Sequence, residues 1–215
     1  LKKVEDIFMA GKGSKIIRTD KKGHVQKTES ISLAGKCLVA VPGIEDVRFD
    51  RSLIFLCACA KEGAMGLVIN RPLVPVKFDE FVSHLNIKVE PDKIKYRPDV
   101  IFGGPVESTR GFVIHSADYF LSSTLSIKNG IAITSTLDIL GAIAAGRGPK
   151  SAMVALGYAS WEPGQLEEEM KGNSWLVVDA DEDLIFNVPF AKKWNAAMER
   201  IGVDPSFLTL YQGNA

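Results

Sequence analysis

Long apolar runs are missing from this sequence: the longest, Leu53–Ala60, holds eight residues, against the ~20 that a membrane-spanning helix needs. The N-terminus carries lysines without an apolar segment or a small-residue cleavage site, so it does not read as a secretory signal, and a cytoplasmic location is expected. Net charge is missing too. Its 26 basic and 26 acidic side chains cancel, so no overall field draws the chain to nucleic acid or anionic lipid. Cysteine is scarce: Cys37, Cys57 and Cys59 form no Cys-x-x-Cys pair, which argues against a disulfide framework or a zinc knuckle and for reduced thiols. Three histidines, His24, His84 and His115, are too few for a histidine-rich metal site. The phosphate-binding fingerprints fail as well. "GKGSK" at Gly11 has no upstream Walker glycine, and "GAIAAGRG" at Gly141 falls in a helical pattern. No Gly-x-Ser-x-Gly elbow, His-Glu-x-x-His helix or EF-hand loop occurs. No metal or cofactor is therefore expected.

What is present is enough apolar material for a folded body. The chain has 215 residues, 46% of them hydrophobic, enough to bury roughly 70% of its unfolded surface. Residues 1–30 stand apart, with eight Lys/Arg against four acids; they read as a basic, flexible arm. The body is assigned to residues 31–215 as one domain. Short runs rich in Val, Ile, Leu and Phe, bounded by Gly, Pro or Asn, predict strands at 37–41, 52–58, 65–70, 100–102, 111–115, 130–134, 152–157 and 175–178.

Four segments repeat at helical spacing. Phe78, Phe81, Val82 and Leu85 make one stripe, and Phe190, Trp194, Ala197, Met198 and Ile201 make the clearest, stopped by Gly202. Ser135 and Asp138 predict a capping box before Leu137, Ile139, Leu140 and Ile143, with Gly146 as terminator and Gly141, Ala142, Ala144 and Ala145 allowing close approach to a sheet. A fourth helix is expected at about 164–171, with Leu166 and Met170 inward. Strands outnumber helices without alternating with them, which favours α+β with mostly antiparallel strands.

The chemistry-bearing candidates each have a structural competitor. Cys57 and Cys59, two apart on a strand, are expected on one face with Leu53 and Phe55, as small core residues rather than a metal or redox pair. In "IFGGPVESTRGFVIHS", residues 101–116, alternation puts Phe112 and Ile114 on one face and Val113 and His115 on the other. Arg110 and His115 then lie roughly 17 Å apart on opposite faces and form no catalytic pair. Gly103, Gly104 and Pro105 make a tight turn, or a backbone nest facing an anion beside Arg110. "INRP" has the same shape: Asn70 and Arg71 end a strand, and Pro72 keeps Arg71 extended. Two strand-end guanidiniums suit carboxylate or phosphate. The competing reading is an internal salt bridge to Asp50, Glu107 or a neighbour. Around "WEPGQLE", Trp161, Gln165 and Glu169 form a possible interaction surface if the tryptophan is exposed; Trp175 reads as core.

Taken together, "GKCLVAVPGIEDVRFDRSLIFLC", "GAMGLVINRPL", "GGPVESTRGFVIH", "GYASWEPGQLEEEM" and "WLVVDADEDLIFNVPFAKKW" resemble the AlgH/YqgE family of bacterial proteins, over residues 33–203. The resemblance implies an α+β fold whose bifurcated sheet closes into a pseudo-barrel flanked by about four helices. It implies no established activity; the family takes its name from a proposed regulatory role in alginate production. Where family members commonly read Cys-Glu-His after the second strand, this chain has Cys57, Ala58 and Cys59, so chemistry through that Glu-His pair is not open to it.

Three functions are compatible with these residues. The first is a non-enzymatic binding or regulatory protein that presents Asn70, Arg71, Arg110 and the turn at Gly103, Gly104 and Pro105 to a small anion or protein partner, with Trp161 and Gln165 as a further surface. The second is an enzyme using His115 as base with an arginine clamp; it requires His115 to line a solvent-reaching pocket. The third, nucleic-acid binding through the basic arm, is set against by the neutral whole and the missing helix-turn-helix signature. Oligomeric state is not legible.

Overall fold

The computed structural model describes residues 33–204, together with the backbone of a short antiparallel ladder between β1 (Arg18–Thr19) and β2 (Val25–Gln26). Apart from that ladder, the basic arm expected over residues 1–30 lies outside the described residues.

The body is α+β. Its strands are β3 (Lys36–Ala40), β4 (Leu53–Ala60), β5 (Gly63–Val68), β6 (Asp99–Phe102), β7 (Val106–Ser116), β8 (Thr124–Ser126), β9 (Ile131–Thr134), β10 (Ala152–Trp161) and β11 (Trp175–Asp179). Hydrogen bonding orders them β11-β3-β4-β5-β10-β7-β9-β8, with β6 also on β10. All pairings are antiparallel except β6 with β10.

Strand β10 is where the sheet divides. Its first half, Met153 to Leu156, pairs with β6, and its last three residues pair with β5 along the same edge. Between these stretches lies Gly157, at φ +72°, where the register with β7 slips by three: Leu156 faces Gly111 but Tyr158 faces Val106. The resulting bend lets the sheet curl into a half-barrel. Both expected features, a bifurcated sheet and flanking helices, are present.

Strand alternation then distributes three cores. The concave face gathers Cys37, Phe55, Leu67, Phe112, Ile114, Ile133 and Met153. It is closed by Trp194, Ala197 and Met198 of α4 (Phe190–Arg200). Convex residues of one half, Leu38, Ile54 and Val68, pack with Leu166 of α3 (Gln165–Lys171). Those of the other, Val100, Val113 and Val154, pack under α1 (Phe78–His84) and α2 (Leu137–Ala144).

Three local expectations need correction. Residues 57 and 59 do not share a face: a bulge between Leu56 and Ala58 puts Cys57 on the concave side and Cys59 against the convex core. One extra residue reverses strand alternation beyond it. No capping box forms at α2; the N-cap is Thr136, which makes no cap bond because its hydroxyl pairs with that of Ser123 at 2.9 Å. Gly141 approaches no sheet, since a Cβ there would meet nothing within 4 Å.

Candidate functional site

Of the expected site residues, Trp161 and Gln165 line a cleft of about 250 Å³ at the end of β10, whereas Asn70, Arg71, Gly103, Gly104 and Arg110 are not in its lining. Its floor is Trp161, Trp175 and Glu169. One wall is the single 3-10 turn Val47–Phe49 with Asp46, and the other is Pro105 and Val106. Gln165 stands at the rim.

Trp161 is not the exposed hot-spot tryptophan that "WEPGQLE" suggested; it is 4% exposed and part of the convex core. Its indole meets that of Trp175 edge to face, with centroids 5.9 Å apart, and Trp175 meets Phe49 at 5.7 Å. Both buried indole N–H groups need acceptors. The same oxygen supplies both: Glu169 Oε2 accepts from Trp161 at 2.8 Å and from Trp175 at 2.7 Å. Glu169 Oε1 accepts from the Gln165 amide at 2.9 Å, and Gln165 in turn accepts from the Glu162 backbone N–H. Helix α3 makes this possible, because positions 165 and 169 lie one turn apart on one face. A carboxylate offers about four acceptor sites. Three are filled by the described residues, two on Oε2 and one on Oε1, which leaves Oε1 one further acceptor position on a residue that lines the cleft.

The wall is held from behind. Arg71 donates to the carbonyls of Arg48 at 2.6 Å and Asp50 at 2.7 Å, and Asn70 bridges the Leu53 N–H and the Arg51 carbonyl. Neither guanidinium nor amide is presented as an anion fork. Arg48 pairs bidentately with Asp46 at the cleft edge, which holds the Asp46 carboxyl below its ordinary range. Arg71→Ala should loosen this turn at a cost of about 1–2 kcal/mol, since charge-assisted bonds to two carbonyls are lost from a partly exposed site. Urea unfolding checks the magnitude.

The opposite wall depends on glycine. The Gly103 N–H donates to the Leu156 carbonyl and its own carbonyl accepts from Val68, so that N–H is not part of an anion nest. Side chains at Gly103 and Gly104 would overlap the backbone of Gly157 and Tyr158. That close approach sets Pro105 and Val106 into the cleft. Arg110 donates to Glu107 Oε2 at 3.3 Å and lies over the Phe112 ring. Glu107 Oε1 accepts from the Tyr158 hydroxyl. The Arg110 bond and, less strongly, that of Tyr158 lower the Glu107 pKa. Here the internal salt bridge is the arrangement found.

His115 is sealed, at 0% exposure. Its Nδ1 lies 2.9 Å from the Ser116 carbonyl and its Nε2 2.9 Å from Thr134 Oγ1. A carbonyl can only accept, so Nδ1 carries the proton, Nε2 accepts from Thr134, and Thr134 accepts from Thr124 at 2.7 Å. Both nitrogens are occupied, which removes His115 as a general base. Burial pushes its pKa below the ordinary 6.5. The unfolded chain therefore binds a proton that the native state refuses: His115 stabilisation is complete above pH ~6.5 and is lost as pH falls from there toward the depressed native value. Unfolding free energies at pH 7 and pH 5 should differ less in a His115→Gln variant than in the parent. Carboxylate titration acts at lower pH and is common to both.

The thiols are quiet. Burial raises all three pKa values, and Cys37 and Cys57 are enclosed. Among the described residues no group of three or more His, Cys, Asp or Glu is placed to hold a metal, and no helix is long and apolar enough to cross a membrane.

A bifurcated α+β half-barrel, with a tryptophan-floored cleft where its two halves meet, defines the structural class. The chain belongs to the AlgH-like family, whose model matches residues 37–206. It is 48% identical over 190 residues to a UPF0301 protein of Rhodopseudomonas palustris, covering 85% of this chain and 87% of that one. It is equally identical over 193 residues to a UPF0301 protein of Rhodospirillum rubrum, covering 89% and 98%. The solution structure of AlgH from Pseudomonas aeruginosa matches with TM-score 0.70 at 37% identity, covering 88% of this chain and all of that one. A crystal structure of a Corynebacterium diphtheriae protein, at 20% identity and TM-score 0.62, shares the fold.

Sequence reasoning missed Asp46, Arg48, Phe49 and the polar role of Trp175. The first two announced themselves only as "EDVR" in a loop. Trp175 sits at a strand start with Leu176 after it, a pattern that shows burial but not the indole's partner.

Proposed function

We propose that this protein is a non-enzymatic binding protein whose Trp161–Trp175–Glu169 cleft receives a basic side chain, lysine or arginine, of a protein partner. The observation that carries the reading is the Glu169 carboxylate, fixed on the cleft floor by two indoles with one acceptor position unfilled among the described residues. Glu45 and Asp46 at the edge add negative charge, against one paired cation, Arg48. Aromatic walls suit the apolar stem and cationic head of such a side chain. In this reading Asn70 and Arg71 brace one wall, Gly103 and Gly104 set the other, and Trp161 and Gln165 meet the ligand. Arg110 braces strand β7 beneath. A regulatory role, in the cytoplasm, would be exercised through this contact.

Intrinsic tryptophan fluorescence tests it, because two of the three tryptophans floor the cleft. Nα-acetyl-arginine amide should shift the emission saturably, with Kd of order 1 mM for so small a probe. The neutral Nα-acetyl-glutamine amide should not. Glu45→Gln with Asp46→Asn, which spares the floor, should weaken the arginine response several-fold. Equal responses to both probes would remove the proposal.

A further inference from the structure

Lys193 is an anomaly the cleft does not explain. It is 1% exposed, the only Lys or Arg among the described residues that is buried. Buried charges are ordinarily paired, yet no carboxylate lies within ion-pair distance of it among the described residues. Its ammonium donates to the carbonyls of Leu184 at 2.9 Å and Ile185 at 2.5 Å, in the π-helical turn Asp183–Asn187. Its third N–H has no hydrogen-bond acceptor among the described residues, and the ammonium lies 5.5 Å from the centroid of the Phe190 ring.

A second cavity, of about 380 Å³, has this lysine in its lining and shares no lining residue with the cleft at Glu169. Lys150 and Arg97 also line it. Lys150 is exposed, and its ammonium makes no hydrogen bond or ion pair among the described residues. Arg97 uses its Nε on Asp79, and neither terminal nitrogen makes a hydrogen bond among the described residues. Asp99 is the one carboxylate in the lining. Helix α4, eleven residues long, begins here: its N-cap, Pro189, offers no side-chain acceptor, and the Phe190 and Ala191 N–H groups have no acceptor among the described residues. Phe186, Phe190 and Met153 give the lining its apolar part, beside the uncharged polar groups of Tyr96, Ser151 and Asn187.

We infer that this cavity is a second ligand site, taking a small organic anion: a carboxylate on a flat apolar body, its charge met by Lys193 and Lys150 and its body held between Phe186 and Phe190. The carboxylate supplies the counter-ion that Lys193 otherwise goes without. This site is independent of the tryptophan-floored cleft.

Protonation supports the same arrangement. Desolvation lowers the Lys193 pKa to about 8 in the free protein. The groups facing it are Asp99 of β6 and Asp183 of the π-helical turn, whose negative charges act the other way, and Cys37 of β3, with Lys150 and Arg97 also in the cavity lining. Cys37 stays a neutral thiol, its own pKa raised by burial. A bound anion favours protonated Lys193, so affinity should fall as pH rises through about 8.

The experiment is a 15N–1H NMR titration of the full chain with benzoate, its neutral isostere benzamide, and inorganic phosphate. Benzoate should move the Phe190 and Ala191 amides saturably, with benzamide and phosphate each about 10-fold weaker. Lys193→Met should lose about 10-fold in benzoate affinity together with its pH dependence near 8. Because that variant could disturb the π-helical turn, Lys150→Gln, on an exposed side chain, is the second arm and should lose several-fold. The inference is overturned if benzamide or phosphate binds as well as benzoate. It also fails if Lys150→Gln leaves affinity unchanged, or if no probe moves those amides. None of these results bears on arginine-amide binding at Glu169.

Discussion

Gly104→Ala is expected to abolish the folded protein. Gly104 has φ +154°, in the range L side chains rarely adopt, and a Cβ there would coincide with the Tyr158 carbonyl group and the Ala159 nitrogen. Those atoms belong to β10 at its bend, next to Gly157, whose own Cβ position is filled by the Gly104 carbonyl. Neither chain can retreat without breaking the pairing of β10 to β5 or β7. The cost is on the order of 4 kcal/mol or more, a large part of the 5–15 kcal/mol that holds a domain folded. Gly164→Ala is the control. It has φ +81° but open space around the Cβ position, so it should lose about 1 kcal/mol from backbone strain alone. Soluble yield and urea midpoints of the two variants separate crowding from φ.

The second large effect is at Glu169. Glu169→Ala leaves two indole N–H groups without an acceptor in a buried setting. Each unsatisfied donor costs about 1–3 kcal/mol, so a loss of about 3–4 kcal/mol is expected. Glu169→Gln keeps one carbonyl oxygen as acceptor and should lose about half as much. The mechanism makes a sharper demand on a double variant: Trp161→Phe removes one orphaned donor, so combining it with Glu169→Ala should cost less than the two single losses added. Chemical denaturation of the four proteins closes the cycle. Strict additivity would mean that the indole–carboxylate bonds do not carry the effect.

Much of the fold could be read from residue pattern. Every expected strand run and helical stripe corresponds to an element, because alternation and 3.6-residue periodicity report which face is buried. The misses share a cause. Strand β8 is three residues long and only partly buried, too short to show alternation. The start of β7, "VESTR", is polar and exposed at its centre, so it reads as loop although Val106 pairs with Tyr158. The bulge in β4 reversed the faces of Cys57 and Cys59, and nothing in "LIFLCACA" marks where the extra residue sits.

The site was legible in some of its members and not in its sign. Trp161, Gln165 and Glu169 stand close in sequence on a strand end and a helix face, so their meeting follows from local geometry. Arg71 and Arg110 looked like ligand-binding groups because sequence shows a guanidinium without showing which carbonyls or carboxylates surround it. Lys193 did leave a trace. It lies three residues after Phe190, one before Trp194 and four before Ala197, inside the apolar stripe of α4 where a charge has no packing reason to be.

Strand β10 has a consequence for how the molecule can come apart. Since its residues pair with β5, β6 and β7 in turn, neither half of the sheet keeps a complete set of neighbours once it is withdrawn. Slow hydrogen exchange should accordingly reach its ceiling at the β10 amides, with protection equal to the global unfolding free energy rather than to any partial opening. Peptide bonds cut on either side of this strand would leave fragments that must recombine to fold.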